Sequence, residues 1–229
     1  MSLIFYDFET TGLDPFQSKI TQFMFLNSKE QTLFSSYVNP QCEIPPEVIK
    51  LNGVTWDDLK SYKTFSEQLD SIINFLGTEK PVYLVAHNGD SFDKVFLLNE
   101  MKRKNMKVPK NWYFIDTLKL AREFLPQLQK HNMDTLRDYY NLSKDYAHLA
   151  TKDVLDLEKI YFNLAGDKTP YAMYLLNKKL SQQMPFGKYK GVSLEKIPEE
   201  YFQFLLSNKI ITEQKNYDLF ENLRQVFVK

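Results

Sequence analysis

The sequence predicts an α/β layered core. Short apolar runs of strand length recur from the N-terminus onward, and segments with helical periodicity, opened by capping residues and often closed by glycine, separate the later ones. Carboxylates stand at the ends of these elements, where α/β folds place chemistry. The 229 residues, 43% hydrophobic and 25% charged, suffice for one full core and a small appendage.

In chain order, "LIFYD", "ITQFMFLN" and "TLFSSYVN" are apolar or alternating runs joined by short polar links, which predicts a meander of strands. "PPEVIKLNG" then opens with prolines suited to a helix start and ends on Asn52 and Gly53. "TFSEQLDSIINFLG" has the Thr64 to Glu67 spacing of a capping box and stops at Gly77. "PVYLVAHN" reads as a buried strand that turns at Gly89 into the helix "SFDKVFLLNEMKRK", with Asp90 placed as its cap. "NWYFID" is a fifth strand, and "TLKLAREFL", "MDTLRDYY" and "HLATKDVLDLEKIYFNLAG" are helices. Asp116 reads as a helix N-cap, and His131 has no carboxylate motif beside it, so both stay outside the candidate site.

Composition narrows the function classes. No run approaches the roughly eighteen apolar residues of a membrane span, and Asp7 comes too early for a signal peptide, so the expectation is a cytosolic protein without membrane contact. The lone Cys42 excludes an internal disulfide and a thiolate metal site. A formal charge of zero predicts that any nucleic-acid contact is local.

Four carboxylates need an explanation. In a strand, Asp7 and Glu9 of "YDFETTGLD" point to one face and Phe8 to the other, so two like charges are held close together. Asp93 lies in the first turn of its helix, where the backbone dipole favours a negative charge. Asp153 shares a helical stripe with Leu149, Leu157, Ile160 and Leu164, a costly position unless a cation or hydrogen bonds neutralise it, or unless it reaches water at the edge. His148 is about 140° away on ideal helix geometry, so it converges with Asp153 only from the turn leading in. Hard oxygen donors without cysteine suit Mg²⁺ or Mn²⁺.

"DFETTG", "AHNGDSFD" and "HLATKD" resemble the three sequence blocks of the DEDDh branch of the DnaQ-like 3′–5′ exonucleases, matching at Asp7, Glu9, Asp93, His148 and Asp153. The likeness covers residues 1 to about 165, and "MPFGKYKGVSLEKIPEEYFQFLL" resembles the tail module of the exodeoxyribonuclease X family. "HNGDSFD" is one residue longer than the common bacterial form and looks more like the Trex-type exonucleases. The resemblance implies a ribonuclease H-like fold, a mixed central sheet flanked by helices, with a small C-terminal α+β module. It implies two Mg²⁺ ions, with Mn²⁺ as a substitute: Asp7 bridging, Glu9 and Asp153 completing one site, Asp93 attached to the other largely through water, and His148 as general base. The expected domains are the exonuclease domain at 1–166, a linker helix at 167–180 and the C-terminal module at 181–229.

Substrate contacts are expected at Thr10, for the terminal 3′ hydroxyl, and at Leu13, against the last base, although "TTGLD" also reads as a polar turn with one apolar anchor. Asn88 and His87 are placed to orient Asp93 or a phosphate, or to support the fold. In "PFGKYKG", Lys188 and Lys190 flank a tyrosine, the parts of sequence-tolerant phosphate and base contact, or of a glycine turn that only shapes the module. The favoured expectation is an exodeoxyribonuclease acting on DNA with a 3′ end, trimming DNA in repair. RNA is an alternative substrate, and a non-catalytic DNA-end-binding module is the third reading. Oligomeric state is not legible.

Overall fold

The computed structural model describes residues 1–143, 150–213 and 215–227. Among the described residues, strands Ser2–Thr10 (β1), Ile20–Asn27 (β2), Thr32–Tyr37 (β3), Val82–Ala86 (β4) and Trp112–Asp116 (β5) form one sheet in the order β3-β2-β1-β4-β5. The meander β1 to β3 is antiparallel, whereas β4 joins β1, and β5 joins β4, in parallel. The sheet is therefore mixed, and β1 is its middle strand.

Helices Pro46–Asn52 (α1), Trp56–Leu59 (α2) and Phe65–Leu76 (α3) connect β3 to β4, and Asp93–Arg103 (α4) connects β4 to β5. Thr117–Phe124 (α5), Met133–Tyr139 (α6), Ala150–Ala165 (α7), Pro170–Ser181 (α8), Glu199–Ser207 (α9) and Tyr217–Phe227 (α10) follow. The capping box of Thr64 and Glu67 opens α3 as the sequence predicts. A second box, Thr55 with Asp58, opens the single-turn α2, which is too short to show periodicity in the sequence.

The alternation of β1 divides the core into two layers. Leu3 and Phe5 face α7, where they pack with Val154, Leu157, Ile160 and Tyr161. Ile4, Tyr6 and Phe8 face the other way, onto Leu69 and Ile72 of α3 and Phe96 and Leu97 of α4. Each such buried side chain contributes about 1.5–3 kcal/mol. By continuing the first of these faces, Asp7 and Glu9 emerge at the end of β1 on the α7 side.

Residues 167–180 are more than a tether. Met173 of α8 is fully buried in the α7 layer, and Tyr174 packs edge-on against Tyr113 of β5 at 5.0 Å. Beyond α8 a separate small core gathers Met184, Leu194, Phe202, Leu205 and Leu223. Among the described residues this module is helical, and its β content is one antiparallel bridge between Gln183 and Ser193. No helix among the described residues is long and apolar enough to cross a membrane.

Candidate active site

The site forms because β1 outruns its parallel neighbour. The pairing of β1 with β4 reaches Phe5 and Val85, while β1 itself continues to Thr10. The amide of Phe8 lies beyond that pairing, and it donates to Asp93 Oδ1 at 3.0 Å. Asp93, the first residue of α4 and 2% exposed, is thereby drawn from the opposite layer to the strand that carries Asp7 and Glu9. Asp153 comes from the first turn of α7, which packs along the same face of β1.

The electrostatics record this convergence. Burial pushes the Asp7 carboxyl well above the ordinary carboxylate range, and the charges of Asp93, Glu9 and Asp153 push it further, with Arg137 opposing. Burial likewise raises Asp93 to about 7 despite the hydrogen bond from Phe8, with Asp116 and Glu9 adding to the rise. Four hard oxygen donors whose charges oppose one another fit divalent cations, since a cation removes the repulsion that otherwise keeps protons bound. Asp7, Glu9, Asp93 and Asp153 are the residues that would hold them. Among the described residues, no three or more acidic, histidine or cysteine side chains stand arranged to hold a metal ion, so the carboxylates would have to draw closer around a cation.

Asp153 has a neutraliser that the sequence does not reveal. Arg137 of α6, 1% exposed, donates through Nη2 to Asp153, through Nη1 to Asp134 at 2.9 Å and through Nε to Asp156 at 2.9 Å. Asp156, not Asp153, is the fully buried carboxylate of α7, and Lys152 also pairs with it. Asp153 sits at the edge of the stripe, 19% exposed. His148 lies outside the described residues.

The turn between β4 and α4 departs from the sequence expectation. Phe92, not Asp90, occupies the N-cap of α4, and no side chain caps that end. Asp90 is instead buried between Lys94 at 2.8 Å and Lys119 at 2.7 Å. Those ammonium groups hold its carboxyl below the ordinary range against the cost of burial. Asp116 caps α5 by accepting from the Leu118 amide, as expected, and also accepts from the amides of Asn88 and Asp90. Gly89 fits only without a side chain, because a Cβ would lie 2.6 Å from that of Ala86. The ring of His87 bonds Thr117 Oγ1 at 3.0 Å, and burial lowers its pKa to about 4, so it supports the fold rather than holding Asp93.

The expected substrate contacts differ in their availability. The Thr10 hydroxyl donates to Gly12 O at 2.7 Å, which leaves its oxygen only as an acceptor for a sugar hydroxyl. Leu13 is 79% exposed. Asn88 is exposed, in a left-handed conformation with φ 61°. Lys188 and Lys190 are exposed in the C-terminal module; Lys188 lies 5.3 Å from the Tyr189 ring centre. Lys190 lines a cavity of about 80 Å³ together with Lys119, Arg122 and Asp218.

Comparison with known proteins bears on the fold and the family. The family model described as Exonuclease matches residues 4–161, and one described as a putative quorum-sensing-regulated virulence factor matches residues 164–209. The chain is 32% identical to the chloroplastic/mitochondrial exonuclease DPD1 of Arabidopsis thaliana, over 73% of this chain and 57% of that protein. It is 31% identical to the DNA polymerase III epsilon subunit of Rickettsia conorii, over 72% of this chain and 74% of that one. Thus it spans little more than half the length of the plant relative and about three quarters of the bacterial one. Among solved structures, E. coli exonuclease I bound to a dA16 oligonucleotide superposes with a TM-score of 0.63 at 18% identity, covering 78% of this chain and 43% of that one. Exonuclease X with 5′ overhanging duplex DNA superposes at 0.57 and 22% identity, covering 76% and 99%. These likenesses share the mixed sheet and flanking helices, the ribonuclease H-like fold expected from the sequence. With the Exonuclease model covering more than half its length and a relative of comparable length above 30% identity, this chain belongs to the DnaQ-like 3′–5′ exonuclease family.

Proposed function

We propose that the chain is a 3′–5′ exodeoxyribonuclease that releases nucleotides from DNA ends, with a role in repair, using a pair of Mg²⁺ ions. The observation that carries this reading is the gathering of Asp7, Glu9, Asp93 and Asp153 from β1, α4 and α7, close enough to perturb Asp7 together. Bound divalent cations supply charge neutralisation at the scissile phosphate and a water of lowered pKa. The protein's own residues do the rest. The four carboxylates hold the cations, His148 takes the water's proton, and Thr10 accepts from the terminal 3′ hydroxyl. Leu13 packs on the last base, while Asn88, Lys188 and Lys190 contact the strand.

The test is a time course on 5′-labelled single-stranded DNA and matched RNA, with Mg²⁺ or EDTA, using wild type and Asp7→Ala. A ladder that shortens from the 3′ end of DNA, and is absent with EDTA and in the variant, is the expected result. A ladder on RNA alone would reassign the substrate. No ladder on either polymer from folded protein would overturn the catalytic reading.

A further inference from the structure

The C-terminal module reaches both loops that frame the carboxylates, through α10. Asp218, in the first turn of α10, accepts from Ser91 Oγ at 2.5 Å and pairs with Lys119 at 2.7 Å. Lys119 is 11% exposed and spends all three ammonium donors inside the protein, on Asp218, Asp90 and Ser181 Oγ. It therefore ties the turn after β4 to α8 and α10. Ser91 precedes Asp93 by two residues, so the bond that Ser91 donates to Asp218 anchors the segment that sets where Asp93 begins its helix. The neighbouring Tyr217 packs edge-on against Phe16, 5.4 Å between ring centres. Phe16 belongs to the loop that follows β1 and carries Leu13.

We propose that Asp218 and Tyr217 are positioning residues: α10 clasps the 87–92 turn and the 11–16 loop, so the C-terminal module holds Asp93 in place for turnover as well as any contact it makes with DNA. The proposal rests on the exonuclease reading for its kinetic consequence, but not for its structural one. Nothing in the exonuclease chemistry requires a buried lysine bridging Asp90 to a helix 127 residues beyond Ser91. Its three satisfied donors instead fix the relative position of the elements that supply them. Misplacing a reacting group by about 1 Å costs on the order of a hundredfold in rate, so a loosened turn should be visible in kcat.

The experiment compares wild type with Asp218→Ala, Tyr217→Leu and Ser91→Ala by nucleotide release and by amide hydrogen exchange. Asp218→Ala should lower kcat about tenfold or more and leave KM within about twofold. Exchange should rise in residues 87–93 and stay unchanged in β2. Ser91→Ala removes only one hydrogen bond of the clasp and leaves the pairing of Lys119 with Asp218, so it guards against unfolding of the first variant; it should show the same pattern in smaller measure. Unchanged protection of residues 87–93 in both variants, or a raised KM with unchanged kcat, would overturn the clasp and leave the module as a DNA-binding appendage. An inactive wild type would refute the exonuclease reading while the exchange measurement still decided the clasp.

Discussion

At the scale of single residues, Arg137 carries the largest local stake. Its guanidinium is buried among Asp134, Asp153 and Asp156, and Asp156 is itself fully buried. Removing one partner of a buried ion group leaves the other charged and dry, so Arg137→Met should lower stability by ~3 kcal/mol in urea unfolding, moderated by Lys152. The double variant with Asp156→Leu should recover much of that loss; equal stability of single and double variants would contradict the coupling. Leu13 makes a prediction about function. As a wedge at the terminal base, its truncation to alanine should impair digestion of blunt duplex more than of single strands, and equal losses would remove that role. The sequence named Asp7 and Glu9 at the end of an apolar strand, Asp93 at a helix start and Asp153 on an apolar helical stripe, because a carboxylate in each of those places needs an explanation. It did not single out Arg137, Lys119 or Asp218 as parts of buried ion networks, because charged residues on helices ordinarily read as solvated faces. Their partners are set by tertiary packing between distant segments.

Among the elements, the turn from β4 into α4 is the most constrained. Gly89 backs onto Ala86, and the Gly89 carbonyl accepts from the amides of Phe92 and Lys94. Gly89→Ala must push the turn away from β4, moving Asp93 with it. The expected result is a loss of ~1–3 kcal/mol by overpacking, accompanied by a larger proportional fall in kcat than in substrate affinity. A fully active variant would show that the turn adapts without moving the carboxylate. The strands and most helices were legible here, because their apolar periods and capping boxes are local. The assignment of Asp90 as a cap failed for the opposite reason: a favourable local spacing lost to two lysines, one of them from α5. The single-turn α2 offered no period to read.

For the whole molecule, the proposed site would couple cation binding to pH. Asp93 is raised to about 7 and Asp7 well above its ordinary value. The folded protein thus keeps protons that the unfolded chain releases, a stabilising effect that is lost as pH rises through those folded values. His87, lowered to about 4, acts in the opposite sense, but only up to its ordinary value near 6.5. Above pH 6.5 the site carboxylates therefore determine the trend, and on the proposed reading, in which Mg²⁺ binds their ionised forms, Mg²⁺ should raise Tm more at pH 8 than at pH 6.5. Calorimetry with and without Mg²⁺ checks this, and Asp93→Asn should flatten the difference. A metal-induced shift independent of pH in the wild type would contradict the perturbed carboxylates. The strands and most helices were readable from pattern and the mixed sheet from the family resemblance, whereas the docking of α8 and α10 was not, since it depends on side chains such as Met173 and Asp218 meeting partners far away in sequence.

The bond from the Phe8 amide to Asp93 bears on how a substrate-trapping protein should be made. Removing the Asp93 carboxylate would leave a strand amide without its acceptor, so Asp93→Ala would remove the proposed cation ligand and damage the C-terminal end of β1 together. Asp7 is held against its neighbours' repulsion, and Asp7→Asn would relieve that strain while removing the proposed cation ligand. An inactive protein carrying Asp7→Asn should hold its structure at least as well as the parent without cations, which makes Asp7 the better position for capturing a bound strand intact.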